Sequence, residues 1–189
     1  MLKCDRWIRD MAEQGMIEPF VEKQISQQVI SFGLSSYGYD LRLSPKQFLV
    51  FERVPGEILD PKHFNRAHLR SSQLQRDSSG EYFILPAHSY GLGVAVERVA
   101  MPPNITAIAI GKSTYARCGI IANLTPVEAG FRGHLTLELS NSSAADAKIY
   151  AHEGICQLLF FEGEPCEVTY AERGGKYQDQ PEEVVLARL

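Results

Sequence analysis

The chain carries a group of basic and hydroxyl side chains a short distance before a single carboxylate. The group consists of Lys112, Ser113, Thr114 and Arg117. The carboxylate is Glu138. Basic side chains, hydroxyls and free backbone N–H groups can hold phosphate oxygens, and a glutamate fixed on a β-strand is suited to proton transfer. We therefore expect a nucleotide phosphate at one end of a site and chemistry on water at the other.

The carboxylate lies in a segment, 134–140, where leucines alternate with polar residues. Alternation of this kind predicts a β-strand with the leucines on one face. The other face would carry His134, Thr136, Glu138 and Ser140. The pattern alone leaves two interpretations open: a polar face in water, or Glu138 pointing into a pocket as a general base.

The basic segment is not a Walker A loop, because no Gly-x-x-x-x-Gly-Lys precedes Ser113. We expect residues 113–116 to form a helical turn. A well-capped turn with solvated Lys112 and Arg117 is the simpler alternative to a phosphate site.

A zinc site of the cytosine-deaminase type is not expected. Its signature is His-x-Glu followed by Pro-Cys-x-x-Cys. Here His152 is followed directly by Glu153, and Pro165-Cys166 lacks the second cysteine. The five histidines form no pair at i, i+4 spacing. Side chains would then have to activate any water that reacts in the site.

The composition excludes several classes of partner. With 189 residues, 44% of them hydrophobic, the chain can bury a core as one domain. A net charge of −4 and the lack of a basic stripe argue against nucleic acid. No apolar run approaches the ~20 residues that span a membrane, and the charged N-terminus lacks a signal-peptide pattern. We expect a cytoplasmic protein whose four cysteines are free thiols.

The residue pattern predicts a mainly β fold. Asp5 is placed to cap a short helix that ends near Gly15. Residues 61–80 are polar and predict an exposed excursion with a short helix after Pro61. Many short strands separated by Pro, Gly and Ser/Asn turns are typical of a barrel or jelly-roll-like fold. The predicted strands are 39–43, 48–51, 83–85, 91–96, 105–110, 135–139 and 157–161.

Several blocks of the chain resemble the dCTP deaminase family, within the deoxyuridine-triphosphatase-like superfamily. They appear in the family's order over most of the chain. The blocks are Ser-Ser-Tyr-Gly-Tyr-Asp-Leu-Arg (35–42), Gly-Lys-Ser-Thr-Tyr-Ala-Arg-Cys-Gly (111–119), Leu-Thr-Pro (124–126), Gly-His-Leu-Thr-Leu-Glu-Leu-Ser-Asn (133–141) and Gly-Gly-Lys-Tyr-Gln-Asp-Gln (174–180).

The resemblance implies a reaction, a fold and an assembly. The fold would be a distorted, dUTPase-like β-barrel forming one domain over residues 1–189, with residues 174–189 as a mobile lid. The reaction would be hydrolysis of dCTP to dUTP and ammonia in pyrimidine deoxynucleotide biosynthesis. Mg²⁺ would accompany the triphosphate, without zinc. The assembly would be a homotrimer with sites between subunits, and dTTP is a candidate inhibitor.

The resemblance also assigns roles to residues. Glu138 would be the general base, with Ser113 and Arg117 beside it. The implied substrate-binding residues are Lys112, Thr114, Leu124, Pro126, Tyr170, Lys176 and Gln180.

Alternative functions remain open from the sequence. A bifunctional enzyme that also cleaves dUTP would need a carboxylate near phosphorus, for which Glu128 is the nearest candidate. A non-catalytic nucleotide sensor would not need to keep Glu138, Ser113 and Arg117. The tail departs from the family pattern where Gln180 is followed by Pro-Glu-Glu (181–183).

Overall fold

A computed structural model describes residues 1–123 and 125–188. Helices are few and short. The first, α1 (Asp5–Ala12), begins at Asp5, so Asp5 is its first residue and Cys4 is the N-cap. The second, α2 (Ser113–Ala116), is the predicted turn of the basic segment. The helix expected after Pro61 is a single 3-10 turn at Arg66–His68.

The rest of the described chain is built from short strands, as predicted. The strands are β1 (Ile17–Glu18), β2 (Gly33–Ser35), β3 (Gly38–Arg42), β4 (Leu49–Phe51), β5 (Leu69–Ser71), β6 (Gln75–Asp77), β7 (Gly80–Leu85), β8 (Tyr90–Ala100), β9 (Ile105–Gly111), β10 (Ile120–Ala122), β11 (Pro126–Val127), β12 (Arg132–Asn141), β13 (Ala147–Tyr150) and β14 (Gly154–Glu162).

The strands form three sheets. The largest has the order β10-β12-β8-β4-β5, and β1 adds to β8. The second has the order β11-β9-β14-β3-β2, and the third β13-β7-β6. All pairings between these strands are antiparallel within the described residues. The mainly β fold with a short N-terminal helix is thereby confirmed.

The core lies between the sheets, and its packing explains two glycines of β8. A Cβ at Gly91 would lie 2.6 Å from the ring of Phe48, and one at Gly93 would lie 3.2 Å from it. The glycines thus make room for Phe48, which stacks on Phe83 with ring centroids 5.3 Å apart. This close packing holds β8 as a rigid neighbour of β12.

The difference in burial between alternate residues of β12 is clearest in its second half. Leu137 and Leu139 are buried, whereas Leu135 is half-buried. The register between β12 and β8 shifts between His134 and Thr136, where residues 95–97 of β8 lie opposite one residue of β12. Leu135 still packs against the core, with less burial than Leu137 and Leu139.

Two further expectations concern the rest of the chain. All four cysteines are free thiols. Within residues 1–123 and 125–188, no helix is long and apolar enough to cross a membrane.

Candidate active site

Glu138 is held from both sides in the largest sheet. Its strand β12 lies between β8 and β10, with Glu138 opposite Leu92. On the other side, the backbone N–H of Asn123 donates to the Glu138 carbonyl at 2.9 Å. Strand pairing on both edges fixes the backbone of Glu138, which is the placement a proton-transfer group requires.

A cavity of about 810 Å³ opens in front of this carboxylate. Ligand pockets for small molecules typically enclose about 300–1,000 Å³, so the cavity can hold a molecule of nucleotide size. Its polar side includes Thr136, Glu138 and Lys176. Its apolar side includes Phe51 and Phe64, whose rings meet edge to face at 6.0 Å.

The side chain of Glu138 contacts Asn123, which is not among the predicted site residues. The Asn123 amide Nδ2 lies 3.4 Å from Glu138 Oε2 and donates to the Tyr90 hydroxyl at 2.5 Å. Burial, and then the charge of Glu138, raises the pKa of Tyr90 to about 12. Tyr90 therefore stays neutral near pH 7. No sequence motif marks Asn123 or Tyr90. The register of the strands, which the sequence does not reveal, brings both of them to Glu138.

Four of the predicted substrate-binding residues line the same cavity as Glu138. They are Pro126, Tyr170, Lys176 and Gln180. A fifth, Leu124, lies outside the described residues. The cavity thus joins the strand carboxylate to the tail, as the sequence blocks indicated.

Gln180 docks the tail against β12. Its side chain is 6% exposed, and its Nε2 donates to Thr136 Oγ1 at 2.6 Å. The N–H of His134 donates to the Gln180 carbonyl at 3.0 Å, which makes a short parallel bridge beside Gly133. Gln180 therefore closes the cavity wall, with its amide nitrogen already engaged by the protein.

The acidic residues after Gln180 are kept away from the cavity. Glu182 accepts a hydrogen bond from Ser44 Oγ at 2.7 Å and forms an ion pair with Lys46. Glu183 is exposed. The unusual Pro-Glu-Glu stretch therefore places no unpaired carboxylate in the site.

Gly175 lets the tail turn closely over Tyr170. A Cβ at Gly175 would overlap the Tyr170 ring. The hydroxyl of Tyr170 accepts a hydrogen bond from the N–H of Tyr177 at 2.9 Å. Gly175 is thus required for the packing of the tail on Tyr170.

The basic segment does not meet Glu138 within one chain. Ser113, Thr114 and Arg117 are exposed, and none of them lines the cavity. Lys112 is turned toward the second sheet, where its Nζ lies 2.7 Å from Asp40 Oδ2 and 2.9 Å from Ser31 Oγ. A single chain therefore supplies the carboxylate side of the predicted site without the phosphate side.

Glu128, the candidate for a second reaction, also lines the cavity. It forms an ion pair with Arg173, whose guanidinium lies 5.5 Å from the centroid of the Tyr170 ring. Among the residues that the structure describes, no group of three or more His, Cys, Asp or Glu side chains could hold a metal ion.

The structure defines a mainly β class of protein with a cavity of small-molecule size over a strand carboxylate. The model of the dCTP deaminase-like family matches residues 2–163. The chain belongs to this family.

Individual relatives agree over the whole length of the chain. A protein named dCTP deaminase from Campylobacter curvus is 50% identical over 190 residues, covering 100% of this chain and 98% of that protein. One of the same name from Acidobacterium capsulatum is 50% identical over 189 residues, covering 100% of this chain and 99% of that protein.

A solved structure shares the fold. It is the 2'-deoxycytidine 5'-triphosphate deaminase from Agrobacterium tumefaciens, with a TM-score of 0.60 at 20% identity. The match covers 86% of this chain and 48% of that chain, so this chain spans about half of it.

Proposed function

We propose that Glu138 is the general base with which this chain deaminates dCTP to dUTP and ammonia. The chain deaminates dCTP, since proteins of that name are 50% identical to it over its full length. The observation that carries the role of Glu138 is its placement: a strand-held carboxylate on the wall of a nucleotide-sized cavity.

The proposed reaction is an addition followed by an elimination. Glu138 takes a proton from water, and the hydroxide oxygen bonds to C4 of cytosine. Glu138 passes this proton to N3, then takes the proton of the new C4 hydroxyl and delivers it to the 4-amino group, so that ammonia leaves as the C4–N bond breaks and the C4 carbonyl forms. One water is consumed and one ammonia is released, without any change of oxidation state.

We also propose that no zinc takes part. The cytosine-deaminase zinc signature is missing from the sequence. Mg²⁺ would enter with the triphosphate, whose oxygens are its preferred ligands. We propose no protein ligand for it.

The rest of the site would come from a neighbouring subunit of a homotrimer. Ser113 and Arg117 are exposed and lie off the Glu138 cavity. The strands that flank α2 in sequence carry exposed isoleucines, with Ile108 41% and Ile121 53% exposed. A neighbouring subunit that covers these side chains would bury apolar area as it brings Ser113 and Arg117 to the cavity.

A mixing experiment tests the shared site. Glu138→Ala and Arg117→Ala homotrimers should each be inactive, because each site lacks one partner. After the two chains are unfolded and reassembled together, about a quarter of the sites in random trimers should regain both residues. Deaminase activity of the mixture measures this. Inactive mixtures, with mixed trimers verified by native mass spectrometry, would place both residues in one chain's site.

The products distinguish deamination from a bifunctional reaction. Glu128 is paired with Arg173, so we expect no efficient phosphoanhydride cleavage. Incubation with dCTP and Mg²⁺ should accumulate dUTP with equimolar ammonia. Chromatography of dUTP, dUMP and pyrophosphate checks this. dUMP with stoichiometric pyrophosphate would show the bifunctional alternative, and absence of turnover with retained dCTP binding would indicate a sensor.

We propose that the chain is cytoplasmic and that residues 174–189 move as a lid. We propose dTTP as an inhibitor, because its triphosphate and deoxyribose would use the contacts that dCTP uses.

A further inference from the structure

We infer that Asn123 and Tyr90 form a bridge that fixes the carboxylate of Glu138, which makes both of them positioning residues for deamination. The inference rests on the proposed role of Glu138 as the base. Asn123 and Tyr90 lie outside the basic segment, the tail and the block that contains Glu138.

The strand register brings Tyr90 to Glu138. Glu138 lies opposite Leu92, and Ser140 lies opposite Tyr90. Residues two apart on a strand share a face. Tyr90 is therefore the diagonal neighbour of Glu138 on the same face, a relation within reach of an aromatic side chain.

Asn123 reaches the same point from the other edge of β12. It directly follows β10, which pairs with β12 through Ala122 opposite Leu139. Its backbone N–H is bonded to the Glu138 carbonyl at 2.9 Å. Its side chain then lies across β12, with Nδ2 bonded to the Tyr90 hydroxyl at 2.5 Å and 3.4 Å from Glu138 Oε2.

The chemistry of the three groups sets their roles. An amide nitrogen carries two hydrogens and accepts none. One hydrogen can go to the Tyr90 oxygen and the other to the carboxylate, so the phenol oxygen fixes the direction of the amide. The ring of Tyr90 is itself held edge to face against Phe51 at 5.4 Å. The bridge thus ties Oε2 to the sheet.

The other carboxylate oxygen remains available. Among the hydrogen bonds between described residues, Glu138 Oε1 has no partner. With Oε2 held by Asn123, Oε1 can receive the proton of a water in the cavity. A carboxylate held by one oxygen loses rotational freedom without losing its basic site.

The first test removes only the phenol oxygen. Tyr90→Phe keeps the ring and its packing, but leaves the Asn123 amide free to turn. We expect kcat to fall about five- to tenfold, as the loss of one oriented hydrogen bond implies, with KM within about twofold. The matched control is Tyr82→Phe, a buried tyrosine of β7 outside the cavity, which should keep the wild-type kcat. A wild-type kcat for Tyr90→Phe would overturn the inference.

A double substitution separates positioning from a general structural effect. If Tyr90 acts through Asn123, adding Tyr90→Phe to Asn123→Ala should not lower kcat below that of Asn123→Ala alone. If the two substitutions acted independently, their fold-decreases in kcat would multiply in the double variant, and that outcome would also refute the bridge.

Comparing Tyr90→Phe with Glu138→Gln distinguishes failure of the bridge from failure of the proposed function. Near-normal turnover of Glu138→Gln would refute the proposed role of Glu138 as the general base, whatever the kcat of Tyr90→Phe. An inactive Glu138→Gln together with a fully active Tyr90→Phe would leave the base in place and refute the bridge alone.

Discussion

Glu138→Gln is expected to lower kcat for dCTP deamination by about 10²–10⁴-fold, the typical effect of losing a positioned general base. Glutamine keeps the shape of the side chain and cannot take the proton from water. Binding of dCTP should survive, because the cavity wall and the tail contacts at Thr136 and Gln180 do not need the charge. Ammonia release measures turnover, and calorimetry with dCTP and Mg²⁺ measures binding.

The matched control for this variant is another strand carboxylate. Glu162 ends β14 and forms an ion pair with Lys3, outside the residues that line the cavity. Glu162→Gln should keep the wild-type kcat. Turnover of Glu138→Gln close to that of this control would refute the proposed mechanism.

The sequence predicted the strands well, because they carry strong local signals. The β12 block and the β9 block combine alternation or apolar runs with turns at their ends, and both are strands in the structure. The helix predicted after Pro61 was less well placed. That segment has no apolar periodicity, and Pro61 and Phe64 instead form part of the cavity wall.

The site could be predicted only in part. Glu138 and Gln180 could be predicted because they stand in recognisable blocks, and the structure places both on the wall of one cavity. Tyr90 and Asn123 could not be found, since their proximity depends on the register of β8, β12 and β10. The shift in the register of β12 against β8 beside Leu135 could not be predicted either, because it requires no change in the alternation of residues along β12.

Removal of the tail after Gly175 is expected to leave a folded chain that has lost most of its activity. The buried core cluster extends from Ile8 to Phe160, and among the described residues after Gly175 only the half-buried Tyr177 packs against it. The thermal midpoint should therefore change little. The tail does supply Lys176, Gln180 and residues 185–187 to the cavity wall. With that wall missing, water enters and the substrate is poorly oriented, so kcat/KM should fall by about 10²-fold or more.

If residues 174–189 act as a lid, they must be able to leave the cavity wall in the empty protein. The tail is docked by several polar contacts, and some of them lie at the surface. The Arg132–Asp179 pair is 51% and 53% exposed, and exposed pairs typically contribute about 0–1 kcal/mol. Such contacts allow opening without global unfolding, so protease should cleave the tail of the empty protein. The negative charge of dCTP with Mg²⁺ would add contacts to Lys176 and slow this cleavage.

A matched pair of glycine variants tests closure without deleting the tail. Gly175→Ala places a methyl group in the Tyr170 ring, whereas Gly163 has no atom within 4 Å of an added Cβ. Gly175→Ala should therefore raise KM and speed cleavage of the tail, and Gly163→Ala should change neither. Since only the first substitution forces the tail off Tyr170, a difference between the two isolates closure from any general effect of an added methyl. Equal cleavage of the wild-type tail with and without nucleotide, together with full activity of the truncated chain, would show that these residues are only a frayed end.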